Sequence, residues 1–161
     1  MKSVLFKRYI NICITATTAF ILLLSGCRYE EGPALNFTKV EKRIRGLWTL
    51  STIYKNGEKT DTQSPTFAES KNAQYEFFKS KIFIINYVHN GIVCKSSGSW
   101  DFGDKKKTLD VTLVNLYYTI SRNYEIIKFK NKELKLRFTD EDGVVWTLLL
   151  TLELSYASYD L

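Results

Sequence analysis

From residue 46 onward apolar and polar side chains alternate along the chain. Leu134, Leu136 and Phe138 oppose Lys135 and Arg137, and Leu109, Val111 and Leu113 oppose Asp110 and Thr112. Trp100 and Phe102 oppose Ser99 and Asp101, while Trp146, Leu148, Leu150 and Leu152 oppose Thr147 and Thr151. A period of two belongs to strands with one buried face. The pattern, cut at its turn signals, predicts eight strands: 46–55, 73–78, 82–88, 92–102, 109–114, 117–129, 134–138 and 144–154. Asn56-Gly57, Asn90-Gly91 after His89, and Asp140 to Gly143 supply the turn chemistry. Both faces of the third strand are apolar. The sixth changes parity between Tyr124/Ile126 and Ile127/Phe129, which predicts a β-bulge.

One helical pattern precedes the strands, over residues 37–45. Phe37, Val40 and Ile44 share a face, Thr38 and Glu41 have capping-box spacing, and Gly46 stops it. Residues 58–72 read as a long polar loop. With no crossover helix a βαβ fold is excluded. Short local connections favour an all-β fold, an eight-stranded antiparallel up-and-down barrel with a short N-terminal helix; a two-sheet sandwich is the competing arrangement.

The first 27 residues follow a different pattern. Lys2, Lys7 and Arg8 form a basic start, residues 10–24 are apolar, and no charge falls between Arg8 and Arg28. The stretch is too short for a membrane span and ends at the small residues Ser25 and Gly26. Leu24-Ser25-Gly26-Cys27 resembles the lipobox of bacterial lipoproteins. That resemblance implies a diacylglycerol on Cys27, acyl chains such as palmitate, and cleavage just before it. An ordinary secretory signal with a chance cysteine is the alternative. The division is then a lipoprotein signal peptide over 1–26, a lipid-anchored tether over 27–36 and a single domain over 37–161. Two acyl chains, at about 0.8 kcal/mol per buried methylene, hold a protein on a bilayer. Arg28, where an aspartate would resemble an inner-membrane retention signal, points to the outer membrane of a Gram-negative envelope. Glu30-Glu31 is similar to the acidic tract of surface-exported lipoproteins, so the periplasmic and outer cell faces both stay open.

Cleavage changes the charge. The whole chain carries 23 basic and 17 acidic side chains, but Lys2, Lys7 and Arg8 leave with the signal and no acid does, so the balance falls from +6 to +3. The lysines are scattered or sit in turns, as at Lys105-Lys106-Lys107, and form no stripe suited to nucleic acid. Of three cysteines, Cys13 leaves and Cys27 takes lipid, so Cys94 remains alone as a small buried hydrophobe and no internal disulfide forms.

Little in the sequence suggests chemistry. His89 is the sole histidine and falls at a turn. Asp140, Asp142 and Gly143 echo part of a calcium loop, but strand residues occupy the remaining ligand positions, so they read as a polar turn. Glu125 and Glu153 look outward. No nucleophile elbow, zinc spacing or phosphate loop appears, so the expectation is a protein that is not an enzyme and takes no metal or cofactor.

Gly46-Leu47-Trp48, after a short helix and at the start of the first strand, resembles the Gly-x-Trp motif of lipocalins. The stretch from Arg45 to Gly57, with Gly98-Ser99-Trp100-Asp101-Phe102 and Trp146-Thr147-Leu148, is similar to the small lipocalin-like lipoproteins of Gram-negative bacteria. The likeness spans about residues 40–154 and implies a loop over 58–72 that lids the open end. Two features depart from the pattern. The Thr-Asp pair near the sixth and seventh strands is absent. The arginine that stacks on the first-strand tryptophan has no counterpart in 144–154, leaving Arg122 and Arg137 as stand-ins. An eight-stranded barrel is just wide enough to fill with side chains or to hold one small ligand. Trp48, Tyr54, Tyr75, Phe77, Trp100, Phe102, Tyr124, Phe138 and Trp146 are the interior candidates. Either they line a pocket for a hydrophobic small molecule, with the hydroxyls of Tyr54, Tyr75 and Tyr124 orienting it, or they plug the barrel and the protein acts through its surface. The sequence bears on neither the oligomeric state nor the ligand.

Overall fold

The computed structural model describes residues 39–61, 71–89, 91–114 and 119–157. The signal peptide, Cys27, the tether and Phe37 and Thr38 lie outside the described residues, as do 62–70 of the long loop and Tyr117. Helix α1 (Val40–Ile44) is followed by β1 (Gly46–Lys55), β2 (Glu58–Thr60), β3 (Gln74–Phe77), β4 (Ile82–His89), β5 (Ile92–Gly103), β6 (Thr108–Val114), β7 (Thr119–Lys130), β8 (Glu133–Thr139) and β9 (Val145–Ser155). From β3 to β9 each strand pairs antiparallel with the next; β1 pairs with β3 on one side and with β9 on the other. The ladder therefore closes into an up-and-down barrel of eight strands, and a closed ladder has no free edge. Among the described residues the core cluster runs from Val40 to Leu150.

All eight expected strands form, with ends within two residues of those expected. Three details differ. The helix is shorter, and its N-cap Lys39 makes no side-chain cap bond; the expected capping residue Thr38 lies outside the described residues. Residues 58–60 of the expected loop instead form β2, because Asn56-Gly57 turns the chain tightly enough for Lys55 to pair with Glu58. His89 is the last residue of β4, paired with Ile92, and not a turn residue.

Bulges decide which side chains face inward. In β7 the register shifts between Ile126 and Lys128, so Ile126 and Ile127 are both buried. A second shift, between Leu50 and Thr52 in β1, escaped the sequence reading. There the Ser51 hydroxyl donates to the Leu149 carbonyl at 2.9 Å. The extra residue reverses the alternation, so Leu50 and Ile53 point inward and Tyr54, paired with Thr147, faces outward. Gly46 has φ of 151°, and a Cβ there would lie 2.3 Å from the Leu154 carbonyl oxygen. The glycine of Gly-x-Trp thus lets β1 start against the end of β9.

Up-and-down order sends alternate connections to opposite ends. α1, residues 78–81, 104–107 and 131–132, and Tyr156 gather at one end, which the helix closes. The 56–57 and 140–144 turns lie at the other.

Candidate functional site

The barrel interior is built in tiers. At the closed end Trp48, fully buried, donates its indole N–H to the Ile44 carbonyl at 2.8 Å and meets Phe129 edge-on at 6.0 Å. The Arg43 guanidinium lies 4.2 Å from the Phe129 ring centroid, and its Nη2 donates to the Phe129 carbonyl. At this base the stacked arginine is Arg43 of α1, on Phe129, whereas Arg122 stacks on Phe138 and Arg137 pairs with Glu125. The position of Arg43 beside Ile44 on the buried helix face was the available signal; a charged residue there reads as solvated until the stem is seen to lie along the core.

Above this base Phe77 packs against Phe83 at 4.9 Å and edge-on against Trp100 at 5.8 Å, and Tyr75 meets Phe83 at 5.9 Å. Trp100 donates to the Phe78 carbonyl at 3.1 Å and meets Phe102 at 5.6 Å. Such edge-to-face pairs contribute about 0.5–1.5 kcal/mol beyond area burial. Trp48, Tyr75, Phe77 and Trp100 are at most 2 % exposed, so these four candidates fill space. Tyr54 joins none of these contacts.

Nearer the mouth, Tyr124 stands edge-on to Phe138 at 5.4 Å, and the Arg122 guanidinium lies 4.1 Å from the Phe138 centroid. Trp146 donates its indole N–H to Asp140 Oδ2 at 2.8 Å, and the Lys55 ammonium lies 5.6 Å from the Trp146 ring. Asp140 Oδ1 accepts the backbone N–H groups of Asp142 and Val144 at 3.1 and 2.9 Å. The Trp146 donor, followed by these two backbone donors and the charge of Arg122, holds this carboxyl below its usual range. Asp140 therefore organises its own turn and secures Trp146. Among the described residues no three His, Cys, Asp or Glu side chains come together as a metal site.

Around the mouth the inward register positions change character. Tyr87, Cys94, Ser96, Ile120 and Arg122 hold inward positions and are only half-buried, whereas below them Trp100, Phe83, Ile85, Val111 and Tyr124 are sealed and only Gly98, Phe102 and Leu152, among the described inward residues, are half-buried. Cys94, expected in the core, is one of this ring; it pairs with Tyr87 and its thiol contacts the Ile92 carbonyl at 3.6 Å. Sequence alternation marks Ser96 and Cys94 as inward, but small side chains carry no apolar signal. A separate cavity of about 340 Å³ lies on the outer wall, lined by Asn123, Glu125, Arg137, Phe138, Thr139 and Val145. It sits where the β7–β8 ladder ends at Glu125–Arg137, an ion pair of 2.9 Å.

No family model matches the chain, and no curated protein matches it. Among solved structures it is similar to insecticyanin from the tobacco hornworm Manduca sexta, a lipocalin, at 11 % identity and a TM-score of 0.54. The match covers 73 % of this chain and 65 % of the insecticyanin chain. At that identity the likeness speaks for architecture alone, and with the closed eight-stranded ladder it gives the chain a lipocalin-like fold.

Proposed function

We propose that the protein is a lipid-anchored, non-enzymatic lipocalin-like protein of the outer membrane, held through Cys27, that carries one small apolar or amphipathic ligand at the mouth of its barrel. The observation that supports this most is the contrast between tiers. Below, Trp48, Phe77 and Trp100 exclude solvent; above, Tyr87, Ser96, Ile120 and Arg122 face inward yet remain half-buried. A cup with an aromatic floor, apolar walls and a few polar groups is what a small ligand requires. Arg122 gives the polar end of an amphipathic molecule a partner. A second reading, a surface module with a filled barrel, draws on the β4–β5 hairpin tip, where Val88, Ile92 and Val93 are 50, 67 and 78 % exposed.

Native mass spectrometry of the chain from Arg28 onward, followed by solvent extraction, tests the choice. A stoichiometric apolar mass that shields Cys94 from a maleimide and is lost in Ser96→Trp, with the fold intact, supports the carrier. A clean apo mass that resists loading with fatty-acid and sterol probes, with Cys94 equally reactive throughout, overturns it in favour of the surface module.

A further inference from the structure

We propose that the closed end of the barrel is a docking face for a membrane surface rich in anionic phospholipid, which seats the base on the bilayer and turns the mouth away from it. The sequence reads as having scattered lysines, and the topology undoes that scatter. In an up-and-down barrel, turns far apart in sequence meet at one end. Lys39 and Lys42 of the helix segment, Lys105 and Lys107 of the β5–β6 connection, and Lys130 and Lys132 of the β7–β8 connection all lie at the closed end. All six are exposed, and none takes part in an ion pair among the described residues.

The neighbouring acids do not cancel them. Glu41, Asp101 and Glu133 are already held by Lys106, Lys81 and Lys128 at 2.8, 2.7 and 2.7 Å. Glu76 accepts the Tyr156 hydroxyl, and among the described residues Asp104, Asp110 and Glu153 are the exposed acids at this end outside these ion pairs. The rest of the barrel is nearly balanced: Lys55, Lys59, Lys71, Lys95, Arg122, Lys135 and Arg137 face six described acids, three of them (Asp140, Glu141, Asp142) in the 140–144 mouth turn. The described chain is thus a charge dipole along the barrel axis, with five of its excess of six positive charges at the base.

Two arguments select a bilayer as the partner. Residue 39, where the described chain begins, belongs to this same end, so the preceding 38 residues attach beside the lysines. The twelve residue steps from Cys27 to Lys39 span at most about 43 Å when extended, so a tether alone leaves the barrel free to tumble. An array of exposed lysine ammonium groups at one end removes that freedom where phosphates crowd the surface, each lysine strengthening binding about fivefold. The inference does not depend on lipid at Cys27, and its test omits that residue.

The chain from Arg28 onward is sedimented with vesicles of phosphatidylcholine alone and of phosphatidylcholine mixed with phosphatidylglycerol, at low and high salt. Binding is expected only to the mixed vesicles and is expected to weaken with salt, since screening shortens the reach of exposed charges to about 10 Å at 0.1 M and about 3 Å at 1 M. The triple variant Lys105→Gln/Lys107→Gln/Lys130→Gln is expected to bind about a hundredfold more weakly. The control Lys55→Gln/Lys59→Gln/Lys95→Gln, at the mouth and the upper wall, is expected to stay within about twofold. Thermal melting of both triples checks that each folds. Equal losses in the two triples would reduce the effect to net charge. Equal binding to neutral vesicles would assign it to the apolar hairpin tip, and equally tight binding to a short DNA duplex would make the partner any polyanion. Each of these three results overturns the proposal, as does no binding at all.

Discussion

Trp48 and Trp146 make the same kind of hydrogen bond in different surroundings, and substituting phenylalanine for each separates structure from ligand binding. Both indoles are at most 1 % exposed. Trp48→Phe deletes the donor to the Ile44 carbonyl, which sits inside the closed base where water does not reach it. Leaving a buried acceptor unsatisfied costs about 1–3 kcal/mol. The smaller ring forfeits about 1 kcal/mol more against Phe129. Trp146→Phe loses similar ring area, but its acceptor, the Asp140 carboxylate, lies in a solvated turn and keeps two backbone donors. Water replaces the lost donor, so that variant costs about 1 kcal/mol. Urea titrations followed by far-UV circular dichroism are expected to show Trp48→Phe less stable by about 2–4 kcal/mol, the denaturant slope being unchanged. At roughly 4 °C per kcal/mol for a domain of this size, the melting shift is about 8–16 °C. Ligand stoichiometry in native mass spectra stays at the wild-type value in Trp48→Phe. Equal costs for the two variants would refute the assignment of Trp48 to a sealed base. Loss of ligand with the fold intact would return Trp48 to the binding site.

Gly98→Ala places a Cβ 1.8 Å from the Thr112 carbonyl oxygen, so β5 and β6 must part; a loss of about 1–3 kcal/mol is expected by thermal melting, and an unchanged midpoint would show that the close approach is not needed. Asp140 supplies an acid-sensitive contribution. Because the Trp146 N–H, and after it the backbone donors and the Arg122 charge, depress its folded pKa below the unfolded value, that contribution is fully present above the unfolded pKa and disappears as pH falls through the folded one. Glu41, bonded to Lys106, and Asp101, bonded to Lys81, act with the same sign. Asp140→Asn is therefore expected to flatten the fall of the urea midpoint between neutral and strongly acid pH, and a slope equal to wild type would refute this.

The fold was legible because the strands announce themselves twice, by alternation and by turn chemistry. Leu134/Leu136/Phe138 and Trp146/Leu148/Leu150 point inward as their spacing says, and the Ile126–Ile127 parity change marks a real bulge. The Ser51 bulge left no such mark. Leu50 and Ile53 flank a Ser-Thr pair that reads equally well as either parity, so Tyr54 was placed inside when it lies outside. Arg43 was missed because hydropathy scores a residue whole, whereas its stem lies buried and its head finds Phe129. The mouth ring was missed for the opposite reason. Ser96 and Cys94 matter through how little they fill, and a pattern search looks for large apolar residues.

The two ends of the barrel follow from one rule of connectivity. Each strand carries the chain from base to mouth or back, so even a random scatter of turn residues is sorted into two sets by the parity of the turn. Here the base turns collect the lysines, while the mouth turns hold Asp140, Glu141 and Asp142. The aromatic tiers follow the same axis: the wide rings of Trp48, Phe77 and Trp100 fill the lower barrel, and the small residues of β5 fall above Trp100. Placing the filled, cationic end beside the chain's entry point at Lys39 leaves the half-open end furthest from it. A carrier whose mouth had to meet the bilayer would need the reverse polarity, with lysines among the mouth turns. If the lysine triple at the base weakens binding to anionic vesicles and the mouth triple does not, any ligand must enter from the aqueous side.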